Sequence, residues 1–263
     1  MKRLIIGTLI SVSTIGSAFA ACTYNFDATP AEISALPSNI PTAKFPILIN
    51  QKSSFLIPSF QSTSNTVQMY MGTSSAVAQS TTTNNQNVIS DKNIGISGEY
   101  AFEFLIDNFI NTPITNDSYV SIGQSFILSD TNKTIKVGAI NLINDPRNGI
   151  NLIVSFSKND GSGETSQSYP VSSIPALGLR VGVFINQNSK QIGLNINGVN
   201  KGYIDSFSST PNRIGFITYG IAMGFKGSDP NIGKTISGEL MTDKSKIALT
   251  YAAGTKDICE IPL

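Results

Sequence analysis

Histidine and tryptophan are absent from this 263-residue chain, cysteine occurs twice, and charge is sparse, at 13% of residues. Without histidine there is no Ser-His-Asp or Cys-His catalysis, no imidazole ligand for zinc and no imidazole acid–base chemistry. No G-x-S-x-G elbow occurs, nor any phosphate-cradling or dinucleotide-binding loop. The missing tryptophan removes the largest aromatic platform a ligand ring could stack on. Lys and Arg, 18 in all, never cluster, which argues against nucleic acid or anionic membrane as a partner. Beyond the N-terminus no apolar run approaches the about 20 residues of a membrane helix. No cofactor-binding pattern is present, and no cofactor is expected.

What is present begins with an export signature. Met1-Lys2-Arg3 form a short positive region, Leu4 to Ile15 are uncharged, and Ala18-Phe19-Ala20 fits the A-x-A cleavage pattern. Gly7, Thr8, Ser11, Ser13 and Thr14 interrupt the apolar stretch, which is too short for a permanent anchor. Residues 1–20 are therefore expected to be a signal peptide, and 21–263 one exported bacterial domain of the periplasm or cell surface. Removing Lys2 and Arg3 from 18 basic residues, against 17 acidic ones, leaves that domain a net charge of −1. Cys22 and Cys259 sit at its two edges. In an oxidising compartment an even cysteine count predicts a disulfide. The competing reading is a lipid-bearing Cys22. It meets Phe19 where a lipobox wants Leu or a similar aliphatic residue, and it leaves Cys259 a free thiol.

Thr29, Pro30 and Glu32 form a capping box with proline at the first helical position, and Pro37 stops the turn. One short N-terminal helix is predicted there, and no other. From Ser53 to Ser90 there is no charge, and 20 of the 29 residues from Ser59 to Asn87 are Ser, Thr, Asn or Gln. Because Val67, Met69 and Met71 still alternate, this segment reads as polar edge strands and loops. Beyond residue 93 the pattern is β. Tyr100, Phe102, Phe104 and Ile106 share one strand face, with Ala101, Glu103, Leu105 and Asp107 on the other. Further runs are 119–128, 134–140, 150–156, 179–186, 191–197, 213–225 and 246–251. Turn clusters at Asn144-Asp145-Pro146-Arg147-Asn148-Gly149 and Asp160-Gly161-Ser162-Gly163 separate them, as in an all-β sandwich or barrel.

Between Leu179 and Asp205 two hairpins follow one another. Val181–Asn186 leads through Gln187-Asn188-Ser189-Lys190 to Ile192–Asn197, and a return strand with Gly202 and Tyr203 hinges at Asn197-Gly198. This stretch resembles the strand–turn–strand signature of concanavalin A-like sandwiches, including lectin, laminin-G and SPRY-type domains. The Tyr100–Ile106 strand is similar to their early core strand. The resemblance implies an all-β, antiparallel two-sheet jelly-roll sandwich with the short N-terminal helix added. Such folds host sugar binders, protein binders and glycan-cleaving enzymes alike, so it implies no single activity. The whole layout also resembles an uncharacterised family of secreted bacterial proteins: export signal, Cys22-Thr-Tyr-Asn-Phe-Asp-Ala-Thr29 start, β body and late cysteine.

Glycoside cleavage needs only two carboxylates, so Glu99, Glu103 and Asp107, at every fourth position of one strand, are weighed for it. Four strand residues span about 13 Å, whereas glycosidase carboxyl pairs stand about 5 to 9.5 Å apart. Alternation alone makes these three solvent-facing charges. Asn159-Asp160-Gly161-Ser162-Gly163-Glu164 offers oxygen ligands for calcium, yet it has no second acidic cluster beside it and reads as a hairpin turn. Tyr70, Tyr119, Tyr169, Tyr203 and Tyr219 remain as aromatic candidates for a ligand face, each equally explained as a strand tyrosine. No catalytic or metal-ligating residue is assigned, and the residues that bind a ligand are not identified. The expected role is a non-catalytic module that binds a glycan or an envelope protein. The alternatives are a surface subunit that assembles through uncharged sheet edges, and a glycan-cleaving enzyme.

Overall fold

The computed structural model describes residues 22–36, 44–60, 67–83, 89–114, 117–157 and 163–263. They form two helices, α1 (Pro30–Ser34) and α2 (Ser75–Thr83), and two antiparallel sheets. One sheet runs in the order β1 (Ile47–Ile49), β2 (Lys52–Leu56), β14 (Thr235–Met241), β5 (Glu99–Asn108), β10 (Leu179–Asn186), β11 (Gln191–Ile196) and β12 (Val199–Ser206). The other runs β3 (Val67–Thr73), β13 (Arg213–Met223), β6 (Tyr119–Ser129), β7 (Thr134–Asp145), β8 (Gly149–Ser157) and β9 (Thr165–Pro170), with β4 (Lys92–Asn93) paired to β13. This is the jelly-roll sandwich that the hairpins imply. The expected signal peptide, residues 1–20, the expected helix stop at Pro37, and Asp160, Gly161 and Ser162 of the expected turn cluster lie outside the described residues.

The core forms where inward-facing strand residues of the two sheets meet. Tyr100, Phe102, Phe104 and Ile106 of β5 are all at most 1% exposed. Phe102 packs edge-on against Phe126 of β6 and Phe216 of β13, with ring centroids 5.2 and 4.9 Å apart. Aromatic pairs in this geometry add to the gain from burial. One charged pair also joins the sheets: buried Lys136 of β7 meets the partly buried Asp205 of β12 at 2.6 Å. Removing Asp205 would leave the buried Lys136 ammonium without its partner.

Two expectations are corrected. Residues 246–251 do not form a strand; they belong to an irregular segment whose place is described below. The uncharged stretch contains strand β3 as expected, but also helix α2, where the composition pointed to edge strand and loop. Threonines make it a poor helix former, and tertiary contacts decide instead. The Ser74 hydroxyl accepts from Val77 N–H at 3.2 Å. Val77 and Ala78 are buried, and the hydroxyls of Thr81, Thr82 and Thr83 donate back to carbonyls one turn earlier.

Helix α1 has the predicted capping box, with Thr29 and Glu32 exchanging hydrogen bonds. Glu32 also receives the Ser75 hydroxyl and the Gln79 amide, so the box ties α1 to α2. These bonds, that from Ser75 foremost, lower the Glu32 carboxyl from 4.5 to about 2. A depressed carboxyl supports the helix pair fully above its unfolded value of 4.5, and the support fades as pH falls through about 2. A carboxyl titration by NMR is expected to place Glu32 well below 4.5 and to return it towards that value in Ser75→Ala.

Candidate functional site

The outward row of β5 carries Glu99, Glu103 and Asp107, and the structure gives each a different environment. Asp107 sits at an ion pair with Lys52 and accepts the Ser237 hydroxyl at 2.6 Å. Partial burial opposes its ionisation, but Lys52 and Ser237 outweigh that and hold the carboxyl below its ordinary value. Glu99 accepts the hydroxyls of Thr255 at 2.7 Å and Tyr203 at 3.1 Å. Glu103 is 0% exposed. The expectation of a solvent-facing Glu103 is therefore overturned: strand alternation points it away from the core, but another part of the chain covers it.

That cover is the C-terminal segment, residues 242–263. It starts where β14 stops pairing with β5 at Met241–Glu103. It then crosses the outer face, so that Ala248 N–H and Leu249 N–H donate to Glu103 at 3.1 and 2.7 Å, and Tyr251 Oη–H donates at 3.2 Å. Arg180 of β10 forms an ion pair with the same carboxylate and donates to the Lys246 carbonyl at 3.2 Å. The segment returns to the sheet at Lys256, which exchanges backbone bonds with Glu99 and Ala101 at 2.9 and 2.8 Å. Burial, and then the adjacent Glu103 charge and the hydrogen bond to it, push the Tyr251 phenol far above its usual range, so it stays a donor.

Two glycines let the segment settle this closely. A Cβ on Gly182 would stand 2.1 Å from Tyr251 Oη, and one on Gly193 2.0 Å from the Phe184 ring. Phe184 in turn packs edge-on against Tyr203, with centroids 5.4 Å apart, and against Tyr251 at 6.2 Å.

The far end of the segment is pinned to the beginning of the described chain. Cys22 and Cys259 form a disulfide with Cα atoms 5.7 Å apart, as the cysteine count predicted. Cys22 N–H donates to Asp243 at 2.6 Å, and the Thr242 hydroxyl donates to the Cys22 carbonyl at 2.6 Å. Asp257, fully buried, accepts from the N–H groups of Cys259, Ile261 and Lys244 at 2.8, 3.0 and 3.1 Å. Asp257 lies close to both sulfurs. Those sulfurs are bonded to one another, so they offer no thiolate to a metal.

Beside the cover lies a cleft of about 480 Å³ whose lining includes Glu99, Phe184, Asn195, Tyr203, Thr250 and Tyr251. Its volume falls within the range of small-molecule sites. Among the described residues, no Lys or Arg lines it. Tyr203 is 43% exposed, its hydroxyl donating to Glu99 and receiving the Asn186 amide at 3.0 Å. These bonds and the Phe184 contact fix the direction of an exposed ring. Asn195, 3% exposed, directs a weak 3.5 Å bond to the Thr250 carbonyl, while its Oδ1 is buried without a hydrogen-bond partner. A buried acceptor left unpaired is costly.

Of the five tyrosines considered from sequence, the structure brings only Tyr203 to this cleft. Tyr70 stacks on Phe55 at 4.4 Å, and Tyr219 lies over Gly123 on the opposite sheet. Tyr119 lines a separate depression with Asp117, Asp145 and Arg147. Tyr169 lies 5.7 Å beneath the Lys201 ammonium. Asn195, Thr250, Tyr251 and Phe184 were not singled out. The first and last sit in the hairpin stretch, where the sequence signal concerned fold, and the other two sit in the irregular cover.

A family model described as a domain of unknown function, DUF4882, matches residues 4–261. No curated protein matches the chain. Among solved structures, it is similar to a Bacillus licheniformis beta-glucanase at 11% identity, over 72% of this chain and 75% of that one, with a TM-score of 0.35. It is also similar to a legume lectin-like domain from Entamoeba histolytica, at 12% identity over 74% and 83%, TM-score 0.36. A third is a variant of human galectin-16, at 11% over 57% and 93%, TM-score 0.30. At these scores the likeness carries no argument about a ligand, and the architecture rests on the pairing of the chain's own strands.

Proposed function

The chain belongs to the DUF4882 family of domains of unknown function, and we propose that its cleft binds a neutral carbohydrate without cleaving it. The observation that carries the reading is an exposed, oriented Tyr203 ring beside Glu99 and Asn195 in a cleft that, among the described residues, has no cationic lining. A sugar presents an apolar ring face and hydroxyl donors together, which suits a site with one aromatic surface and a few fixed polar groups. The missing Lys and Arg argue against a phosphorylated or otherwise anionic ligand.

The non-catalytic part of the reading rests on Glu103. Glycoside cleavage requires two carboxyls that flank the scissile bond. Glu103 gives its oxygens to Arg180, Ala248, Leu249 and Tyr251 beneath the cover, which leaves Glu99 as the carboxylate on the cleft. We read residues 1–20 as an export signal, and the envelope or the cell exterior as the place where such a ligand is met.

A panel of neutral oligosaccharides tested by calorimetry decides the matter. Binding should appear for at least one of them and weaken about tenfold or more in Tyr203→Ala and in Asn195→Ala, since each 1.4 kcal/mol is tenfold in affinity. No product should form. Binding that is unaffected by both changes, or the absence of binding across the panel, would refute the proposal.

A further inference from the structure

Lysine belongs at the surface, yet Lys136 is 4% exposed, and among the described residues it is the one buried lysine. It stands on β7 opposite Leu128, and Asp205 stands on β12 opposite Ile192. Leu128 and Ile192 are both fully buried, and residues paired across strands share a face. The two charged side chains therefore point from separate sheets into the sandwich, where they meet at 2.6 Å. The Phe156 ring centroid lies 6.0 Å from the ammonium and walls off one side of it.

The contact has the parts of an acyl-transfer site. Lys136 Nζ touches Oδ2 of Asp205, and Thr165 of β9 donates its hydroxyl to the same oxygen at 3.3 Å. The other oxygen, Oδ1, accepts Ser206 N–H at 2.7 Å. A nucleophile and a hydroxyl donor thus converge on one carboxyl oxygen while a main-chain donor holds the other. Adding one C–O bond to the contact puts Nζ roughly 3–3.5 Å from Cγ, where reacting atoms stand before they bond. The Lys136 side chain is 5% exposed and that of Asp205 11%, so little water competes for either. A buried ion pair is also a poor resting state, because desolvation costs about what the attraction returns.

We propose that Lys136 and Asp205 condense in the folded chain to an amide, an internal isopeptide bond between β7 and β12. One ammonium proton crosses the hydrogen bond to Oδ2, leaving an amine and an acid. The Nζ lone pair forms the N–Cγ bond, and Ser206 N–H holds the charge that develops on Oδ1. A second Nζ proton passes to Oδ2, the Cγ–Oδ2 bond breaks, and water leaves past the exposed Thr165. An ammonium and a carboxylate become one amide and one water, with no oxidant or other reactant. Strand β12 is the last of its sheet and carries Tyr203, so the bond fastens to the facing sheet the edge that holds the cleft's exposed ring. The inference needs no ligand and stands whatever the cleft binds.

Intact mass of the exported 21–263 form, reduced to open the disulfide, tests it. The wild-type chain should weigh one water less than its sequence. Trypsin should then yield one branched peptide that joins residues 134–147 to residues 202–213, with Lys136 uncleaved inside it. Lys136→Arg keeps the charge but replaces the amine with a guanidinium, and Asp205→Ala removes the acid. Both variants should have full mass and give the peptides separately. A wild-type chain at full mass would overturn the proposal. So would a water loss without the branched peptide, since a succinimide at Asp160-Gly161 sheds one water too, and so would a water loss that persists in either variant. The wild-type peptide decides by itself, so neither variant has to be stable.

Discussion

Glu103→Ala is expected to lower the free energy of unfolding by about 3–5 kcal/mol, the range for removing one partner of a buried, hydrogen-bonded charge pair. The carboxylate accepts two backbone N–H groups and a phenol, and it pairs with Arg180. Truncation leaves those donors facing a void under the cover. Arg180 retains 21% side-chain exposure, so water relieves part of its loss and holds the cost within that range. Glu99→Ala, at a carboxylate that is half-buried and accepts mainly neutral hydroxyls, should cost about 1 kcal/mol, the net value of an ordinary hydrogen bond. Urea denaturation of the two variants measures the contrast. A Glu103→Ala loss no larger than that of Glu99→Ala would mean that the cover is held elsewhere. Because Thr250 and Tyr251 line the cleft and follow directly on the anchored Ala248 and Leu249, Glu103→Ala should also abolish ligand binding although Glu103 touches no ligand. Glu103→Gln keeps the shape and one acceptor, and should fall between the two.

The alternation of β5 made its core face legible. An apolar residue at every second position from Tyr100 to Ile106 has one good solution, and the structure adopts it. The same alternation misplaced Glu103, since strand periodicity reports only which side of a sheet a residue faces. Whether that side is wet depends on the segment that lies over it. The cover has no period of its own: its order comes from Glu103 and the disulfide, each acting across more than a hundred residues, and from Asp257 within the segment. Helix α2 escaped for a related reason. Its Ser, Thr and Gln composition carries no 3.6-residue apolar stripe, and two buried residues, Val77 and Ala78, hold it in place. At the N-terminus the capping box is a local code, and Thr29 and Glu32 were readable because both partners lie within four residues. The cleft falls between these cases. Tyr203 was among the candidates, while its partners Asn195 and Thr250 come from a strand and a loop 55 residues apart.

The disulfide should matter for the cleft as much as for the fold. Closing a loop of 237 residues gives, in the chain-entropy account, about 5 kcal/mol of stabilisation, and measured losses on removing native disulfides run ~2–5 kcal/mol. The double substitution Cys22→Ser with Cys259→Ser is therefore expected to cost several times what a surface change costs, and the loss should not be spread evenly. The sandwich is held mainly by its own strand pairing and its Phe102, Phe126 and Phe216 cluster, which the two ends meet through Tyr24 packed edge-on against Phe216 and Lys256 bonded to β5. The segments at 22–28 and 242–263 depend on one another through the disulfide and through Cys22 bonded to Asp243 and Thr242. Hydrogen exchange in the variant should accelerate first at Ala248, Leu249 and Lys256, while Phe104 and Val183 stay protected near the global limit. Oligosaccharide binding should weaken in step with that exchange. Uniform acceleration through both sheets would show that the bridge stabilises the molecule as a whole, with no special hold on the cover. Unchanged exchange at Ala248 and Leu249 would assign the cover to Glu103 alone, with the disulfide acting only on the unfolded chain.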